Sequence, residues 1–252
     1  MKVSTIITAI AMLFVLSCTT VAQETGRISE AFACNFKDGK GSKDLWAAVD
    51  FWNEQMDAMG AGPLDDYFAA ILTPYRATTG ADFFWLGSSS NLNSFAAGGH
   101  AYVNSPQGQA ADARFEEISR CDSNVFLSET LYDGLGAPDD VDPSAFLETF
   151  ACTLNEDATM DDVTAAEEGW IAHAKSAGAK VDVIRWTPLY ANTSADVYYL
   201  VVSADMPSFG AYRTAWLTSE GGQAADRAFD EITNCESGLM IGTRIRVPAP
   251  VD

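Results

Sequence analysis

The chain has 252 residues, of which 48% are hydrophobic and 20% charged, enough apolar material for one large core or two of ordinary size and too little charge for a disordered polyelectrolyte. Against 15 Lys and Arg stand 35 Asp and Glu, a net charge of −20. Such a surface repels phosphate backbones and anionic headgroups and argues against nucleic-acid binding.

The first residues read as an export signal. Lys2 is a short positive segment, and Ile6 to Leu16 form an apolar run too short to span a bilayer. Two cleavage readings stand side by side. Thr20-Val21-Ala22 offers small residues for cleavage after residue 22. Val15-Leu16-Ser17-Cys18 resembles a lipobox, which would make 1–17 a lipoprotein signal and Cys18 a lipidated N-terminus. The expected location is outside the cytoplasm, periplasmic or as an outer-membrane lipoprotein, with a lipid on Cys18 as the single membrane attachment.

From there two similar halves follow, expected at 29–132 and 144–249, joined by a Gly-, Asp- and Pro-rich linker over 133–143. A strand is predicted over Ala31 to Phe36. A helix runs from a cap at Ser42 to Gly60, carrying Leu45, Val49, Trp52 and Met56 at helical spacing. Strands are predicted at Tyr67 to Leu72 and Phe83 to Leu86, a helix over about Gln107 to Ser119, and a strand from Val125 to Leu131. The second half repeats this order. It has a strand at Thr149 to Leu154, a helix capped by Thr159 with Asp162 in the place of the capping-box acid, and strands at Val181 to Trp186 and Val197 to Val202. A helix over Gly221 to Thr233 and a strand from Leu239 to Val247 complete it.

The internal match is strong. Ser94 to Cys121 aligns without a gap on Ser208 to Cys235, with 14 of 28 positions identical, among them Gly108-Gln109-Ala110-Ala111-Asp112 against Gly222-Gln223-Ala224-Ala225-Asp226. Earlier in the chain the offset changes by four residues, between Gly60 and Thr73, where a difference in loop length is easily tolerated. Setting Cys18 aside, each half carries one early and one late cysteine. The repeat therefore selects Cys34 with Cys121 and Cys152 with Cys235 as disulfides, as suits an exported chain.

The order β-α-β-β-α-β, twice, resembles the ferredoxin-like domain of the dimeric α/β barrel superfamily, nearest in look to the antibiotic-biosynthesis monooxygenase group. The resemblance implies an α+β fold in which the two halves pair as an internal dimeric α/β barrel within a monomer. It also implies a ligand cavity between sheet and helices. Haem-degrading relatives of that group use an Asn on the first strand, a Trp on the third and a His on the second helix. Asn35 and Trp85 stand at the first two places, and Ser105 to Asp112 is similar to the helix segment, with Asp112 where the His would be. A carboxylate is a poor axial ligand for haem iron, so no cofactor is expected.

The candidate catalytic residues are thus Asn35, Trp85 and Asp112, and the candidate ligand contacts Phe84, His100, Tyr102, Tyr199 and Trp216. His100 and His173 have no matching partners in the other half and no zinc spacing, so no metal site is expected. The repeated Gly-Gln-Ala-Ala-Asp segment has two readings. It is a packing device that each half needs, or it presents Gln109 and Asp112 to a cavity as a polar pair, with a buried Asp as base. Asp38 to Lys43 lacks phosphate-loop spacing and reads as a turn into the helix. Asp139, Asp140 and Asp142 could hold calcium but read more simply as linker. Asn192-Thr193-Ser194 is a glycosylation sequon only in a eukaryote. The function that needs least is binding of a small apolar or aromatic molecule. The alternatives are a cofactor-independent monooxygenase and a structural envelope protein.

Overall fold

The computed structural model describes residues 26–76, 80–136 and 143–248. The expected signal, Cys18 and the acidic run 139–142 lie outside the described residues. The fold is α+β, with six helices among the described residues and eight antiparallel strands closed into a barrel. The elements in chain order are β1 (Arg27–Phe36), α1 (Ser42–Met59), β2 (Phe68–Arg76), β3 (Phe83–Ser89), α2 (Leu92–Val103), α3 (Pro106–Ile118) and β4 (Ser119–Asp133). They are followed by β5 (Ser144–Leu154), α4 (Met160–Ala177), β6 (Asp182–Tyr190), β7 (Val197–Ser203), α5 (Met206–Thr218), α6 (Glu220–Ile232) and β8 (Thr233–Arg246).

Around the barrel the order is β1-β3-β2-β8-β5-β7-β6-β4. The last strand of each half joins the halves. β4 pairs with β1 through 119–128 and with β6 through 125–133, while β8 pairs with β5 through 233–243 and with β2 through 239–246. Register shifts beside Pro74 and Pro188 fall on these two seams, where a residue without an N–H is tolerated.

Strand alternation sorts the core into three layers. One face of β1 sends Cys34 outward with Phe83, Trp85 and Ile71 against Leu45, Val49, Trp52 and Met56 of α1. The second half builds the matching layer from Cys152, Val183, Val197, Tyr199, Val163 and Trp170. Inside the barrel, Leu72, Leu86, Phe126, Leu147, Trp186, Leu200 and Met240 form the third. Among the described residues no helix is long and apolar enough to cross a membrane.

Three expectations are corrected. The helices α2 and α5 were not foreseen; each is wound directly onto the next helix with one or two residues between. Asn91 and Asp205 cap them, accepting from Ser94 N and Ser208 N. The strands β4 and β8 start six residues earlier than Val125 and Leu239, because exposed polar side chains at their beginnings hide the apolar alternation. The chain expected to act as linker from 133 is held at its start, since Gly134 N and Leu135 N both donate to Asp182 Oδ1.

Both disulfides are present as paired, Cys34–Cys121 and Cys152–Cys235, each between directly opposed residues of neighbouring strands. Each bridge ties the first strand of a half to its last, across sequence separations of 87 and 83 residues. Replacing Cys152 and Cys235 together by Ala is expected to lower unfolding free energy by about 2–5 kcal/mol in urea titrations. A loss below about 1 kcal/mol would show that the sheet alone fixes this register.

Candidate functional site

A cavity of about 320 Å³ lies in the first half, between the outward face of β1 and β3 and the helices α1, α2 and α3, with Leu64 and Tyr67 from the segment before β2. Trp52 and Met56 enter it from α1, one turn apart, and Trp85 from β3. Phe95, Gly98, Gly99 and Tyr102 come from a single face of α2, and Asp112 and Phe115 from α3. The aromatic walls meet edge to face. Trp85 lies 4.7 Å from Trp52 and 5.4 Å from Phe115 between ring centroids.

Two acidic groups face this apolar space. Glu30, on β1, accepts from Tyr67 Oη at 2.5 Å, and Tyr67 in turn accepts from Trp85 Nε1 at 3.2 Å. Burial pushes the Glu30 carboxyl above its usual range; the Tyr67 bond works against this, and Asp112 adds repulsion. Asp112 sits at the rim, partly exposed, and accepts from Tyr102 Oη at 2.8 Å. Desolvation raises its pKa as well, opposed by the Tyr102 bond. Burial and the neighbouring carboxylates raise both tyrosines, so Tyr67 and Tyr102 stay protonated and act as donors.

The structure brings together three of the expected residues here: Trp85, Tyr102 and Asp112. Asn35 is not among them. Strand alternation turns it to the opposite face from Cys34, and it is exposed at the strand end opposite Arg120. Phe84 faces the barrel interior. His100 is on α2, exposed, beside Asn104. Tyr199 and Trp216 are buried in the second half, where they donate to Glu167 Oε1 and Asp226 Oδ1 at 2.7 and 2.8 Å. His173, half-buried, packs on Trp216 and lies 3.0 Å from Ser219 Oγ.

The repeated Gly-Gln-Ala-Ala-Asp segment joins consecutive helices in both halves. A Cβ on Gly108 would lie 2.1 Å from Tyr102 O, and one on Gly222 would lie 2.3 Å from Trp216 O, so only glycine allows the close approach. Gln109 and Gln223 donate to Val103 O and Leu217 O, the free carbonyls at the end of the preceding helix. Gln109 therefore does not face the cavity, and the buried acid is Glu30, not Asp112.

Glu30, Tyr67, Leu64 and the pair Gly98-Gly99 were missed. Their signal lies in how the halves differ. Glu30 matches Glu148, but Gly98 and Gly99 match Tyr212 and Arg213. In the second half Tyr212 is buried against Trp216, 5.7 Å between centroids, and Arg213 Nε reaches Glu148 Oε2 at 3.3 Å as an ion pair. The four extra residues of the first half are equally consequential. Their loop brings Leu64 over α2, where a Cβ on Gly98 would meet Leu64 Cδ2 at 2.9 Å. One half is thus opened by small residues and roofed by a loop, and the other is filled by its own side chains.

The place where haem-degrading relatives have a His holds Asp112, whose carboxylate is already engaged by Tyr102, and no imidazole is among the residues lining the cavity. Among the described residues no three His, Cys, Asp or Glu side chains gather as a metal site.

No protein-family model and no curated sequence matches the chain. Its fold is similar to that of solved structures of low identity. A Fusobacterium nucleatum protein provisionally described as a monooxygenase has 10% identity over 88% of this chain and 94% of its own, with a TM-score of 0.59. One from Lactobacillus acidophilus, described likewise, has 8% identity over 90% and 100%, with 0.58. An anthrone oxidase-like protein has 11% identity over 89% and 93%, with 0.55. Chlorite dismutase-like proteins share the fold too, and these neighbours are dimeric α/β barrel proteins.

The raised pKa of Glu30 has a definite sign in stability. Its protonated form is favoured by the native site, so this contribution is full below the ordinary carboxylate range and is lost as pH rises through the native pKa. Glu30→Gln stays neutral and still accepts from Tyr67. Its melting temperature relative to wild type is expected to rise between about pH 4 and about pH 8. A difference that does not change with pH would mean that Glu30 is solvated as in the unfolded chain.

Proposed function

We propose that the chain is an exported protein of two ferredoxin-like repeats that binds a small, flat, apolar molecule in its first-half cavity. The observation that carries this is the contrast between the halves: the same scaffold is vacated by Gly98, Gly99 and the Leu64 loop on one side and packed by Tyr212 and Arg213 on the other. Apolar walls supply the affinity, and Glu30 and Asp112 select a neutral molecule with a hydroxyl or other donor group. Export is supported by the two disulfides, and the paired halves support a chain that closes its barrel as a monomer. The location is read as periplasmic, or outer-membrane if Cys18 is acylated.

A second reading, cofactor-independent monooxygenase, is favoured by one observation: Glu30 is a carboxyl of raised pKa held against an aromatic cavity. Such a base takes a proton from an electron-rich CH₂ or phenol. The resulting anion reduces oxygen itself, so that a CH₂ and O₂ become a carbonyl and water. The fold neighbours described as monooxygenases and anthrone oxidase-like agree with this reading.

One substitution addresses both readings. A Cβ at position 99 meets nothing within 4 Å, so Gly99→Arg is expected to fold and to reach Glu30 as Arg213 reaches Glu148. Equilibrium dialysis with 2-naphthol is expected to show a loss of roughly tenfold or more in affinity at this site. Unchanged binding would refute the assignment of the cavity. For the enzyme reading, oxygen consumption with anthrone is expected to vanish in Glu30→Gln while binding persists; absence of uptake in the wild type leaves binding as the function.

A further inference from the structure

We infer that the inside of the barrel is a second binding site, for a neutral flat molecule of one or two rings that carries a hydrogen-bond acceptor. All eight strands contribute to a cavity of about 320 Å³ there. It is separate from the first-half site because the two lie on opposite faces of β1 and β3. Ala31, Ala33 and Phe84 face in, where Glu30, Phe32 and Trp85 face out.

An eight-stranded barrel is just wide enough for its side chains to fill, or for one small ligand. Here small residues tip the balance. Ala31 and Ala33 of β1, Thr149 and Ala151 of β5 and Gly238 of β8 line the space and leave it open. The large residues form a wall suited to a ring: Phe126 stacks on Trp186 at 5.1 Å and meets Tyr198 edge-on at 5.3 Å. Trp186 is only 8% exposed, and its Nε1–H has no partner among the described residues. An unpaired buried donor is unfavourable, and a carbonyl or ether oxygen on the ligand answers it through a small turn of the indole.

The mouth sets the charge. Asn124, Asn192, Thr193 and Glu236 surround it, with Asn192 N donating to Asn124 Oδ1 at 2.9 Å. This rim is polar and its charge is negative, so an anionic ligand is disfavoured. The inference does not depend on the first-half site, since the two cavities share no lining residue.

The test is equilibrium dialysis of the full chain with 2-acetylnaphthalene and with naphthalene, in a Gly99→Arg background that blocks the first site. One binding event is expected to remain. Ala33→Phe, at the barrel mouth, is expected to abolish it with the near-ultraviolet circular dichroism retained. Trp186→Phe keeps the ring wall and removes the donor; it is expected to weaken 2-acetylnaphthalene roughly tenfold and naphthalene by less than about twofold. If Ala33→Phe fails to fold, the Trp186→Phe comparison decides alone. No remaining binding in Gly99→Arg, retention in Ala33→Phe, or equal losses for both compounds in Trp186→Phe would overturn the inference. Binding unchanged by Gly99→Arg itself speaks instead against the first-half site.

Discussion

Two strands are too long for the sheets they begin in, and the molecule depends on that excess. β4 and β8 have 15 and 14 residues, against 10 and 11 in the strands β1 and β5 beside which they start. Their surplus ends would present unpaired N–H and C=O groups at a sheet edge, an expensive arrangement and an invitation to aggregate. Each finds the second strand of the other half instead, so that closure satisfies both edges at once. The disulfides act at the opposite ends of the same strands, near Ser119 and Thr233, where the helix has just ended. One end of each long strand is held covalently within its half, and the other by hydrogen bonds across the seam.

Within this closed barrel the two halves keep the same order of elements and differ in their side chains. In an assembly of identical chains a plug would fill both cavities. In a single chain the second half can trade its cavity for core, and it has done so repeatedly. Tyr212 and Arg213 fill the space under α5, and Glu167 and Arg185 introduce an ion pair at 2.7 Å where the first half has Val49 and Ile71. That pair extends to Glu129 on β4, so the polar network of the second half also fastens the seam. The first half keeps the apolar packing and the room. Charged packing and open space are divided between the two halves.

Much of this was legible in the residues. The helical spacing of Leu45, Val49, Trp52 and Met56 names the face that α1 buries, and the repeat selects the disulfides that the structure contains. The extra helices were hidden because Phe95, Gly98 and Tyr102 present a thin apolar stripe interrupted by glycine, while the flanking caps Asn91 and Ser105 read equally well as turn residues. Of the residues that line the first-half cavity, Trp85 and Asp112 are legible through the family resemblance and Tyr102 through its match to Trp216. Asn35, which the family resemblance implies, stands on the far face from Cys34 by strand alternation and is not among the residues lining the cavity. Glu30 escaped because the strand expected from Ala31 begins four residues earlier, at Arg27. The loop of four extra residues was treated as neutral length, although Leu64 within it forms part of the cavity wall. A repeat shows what both halves need in order to fold. What one half does alone is written where the halves disagree.

The adjacent glycines of α2 carry a cost besides the room they make. Glycine weakens a helix interior by about 1 kcal/mol relative to alanine, and α2 has two in succession. Among its residues only Gly98 is fully buried, whereas α5 anchors itself through Tyr212 and Trp216. The wall above the open cavity is therefore the most loosely wound and least tethered of the two. Local unwinding of that one segment would uncover the first-half cavity while the barrel and its seams stay closed. The same two missing side chains thus set both the room in the cavity and the intrinsic stability of the helix that walls it.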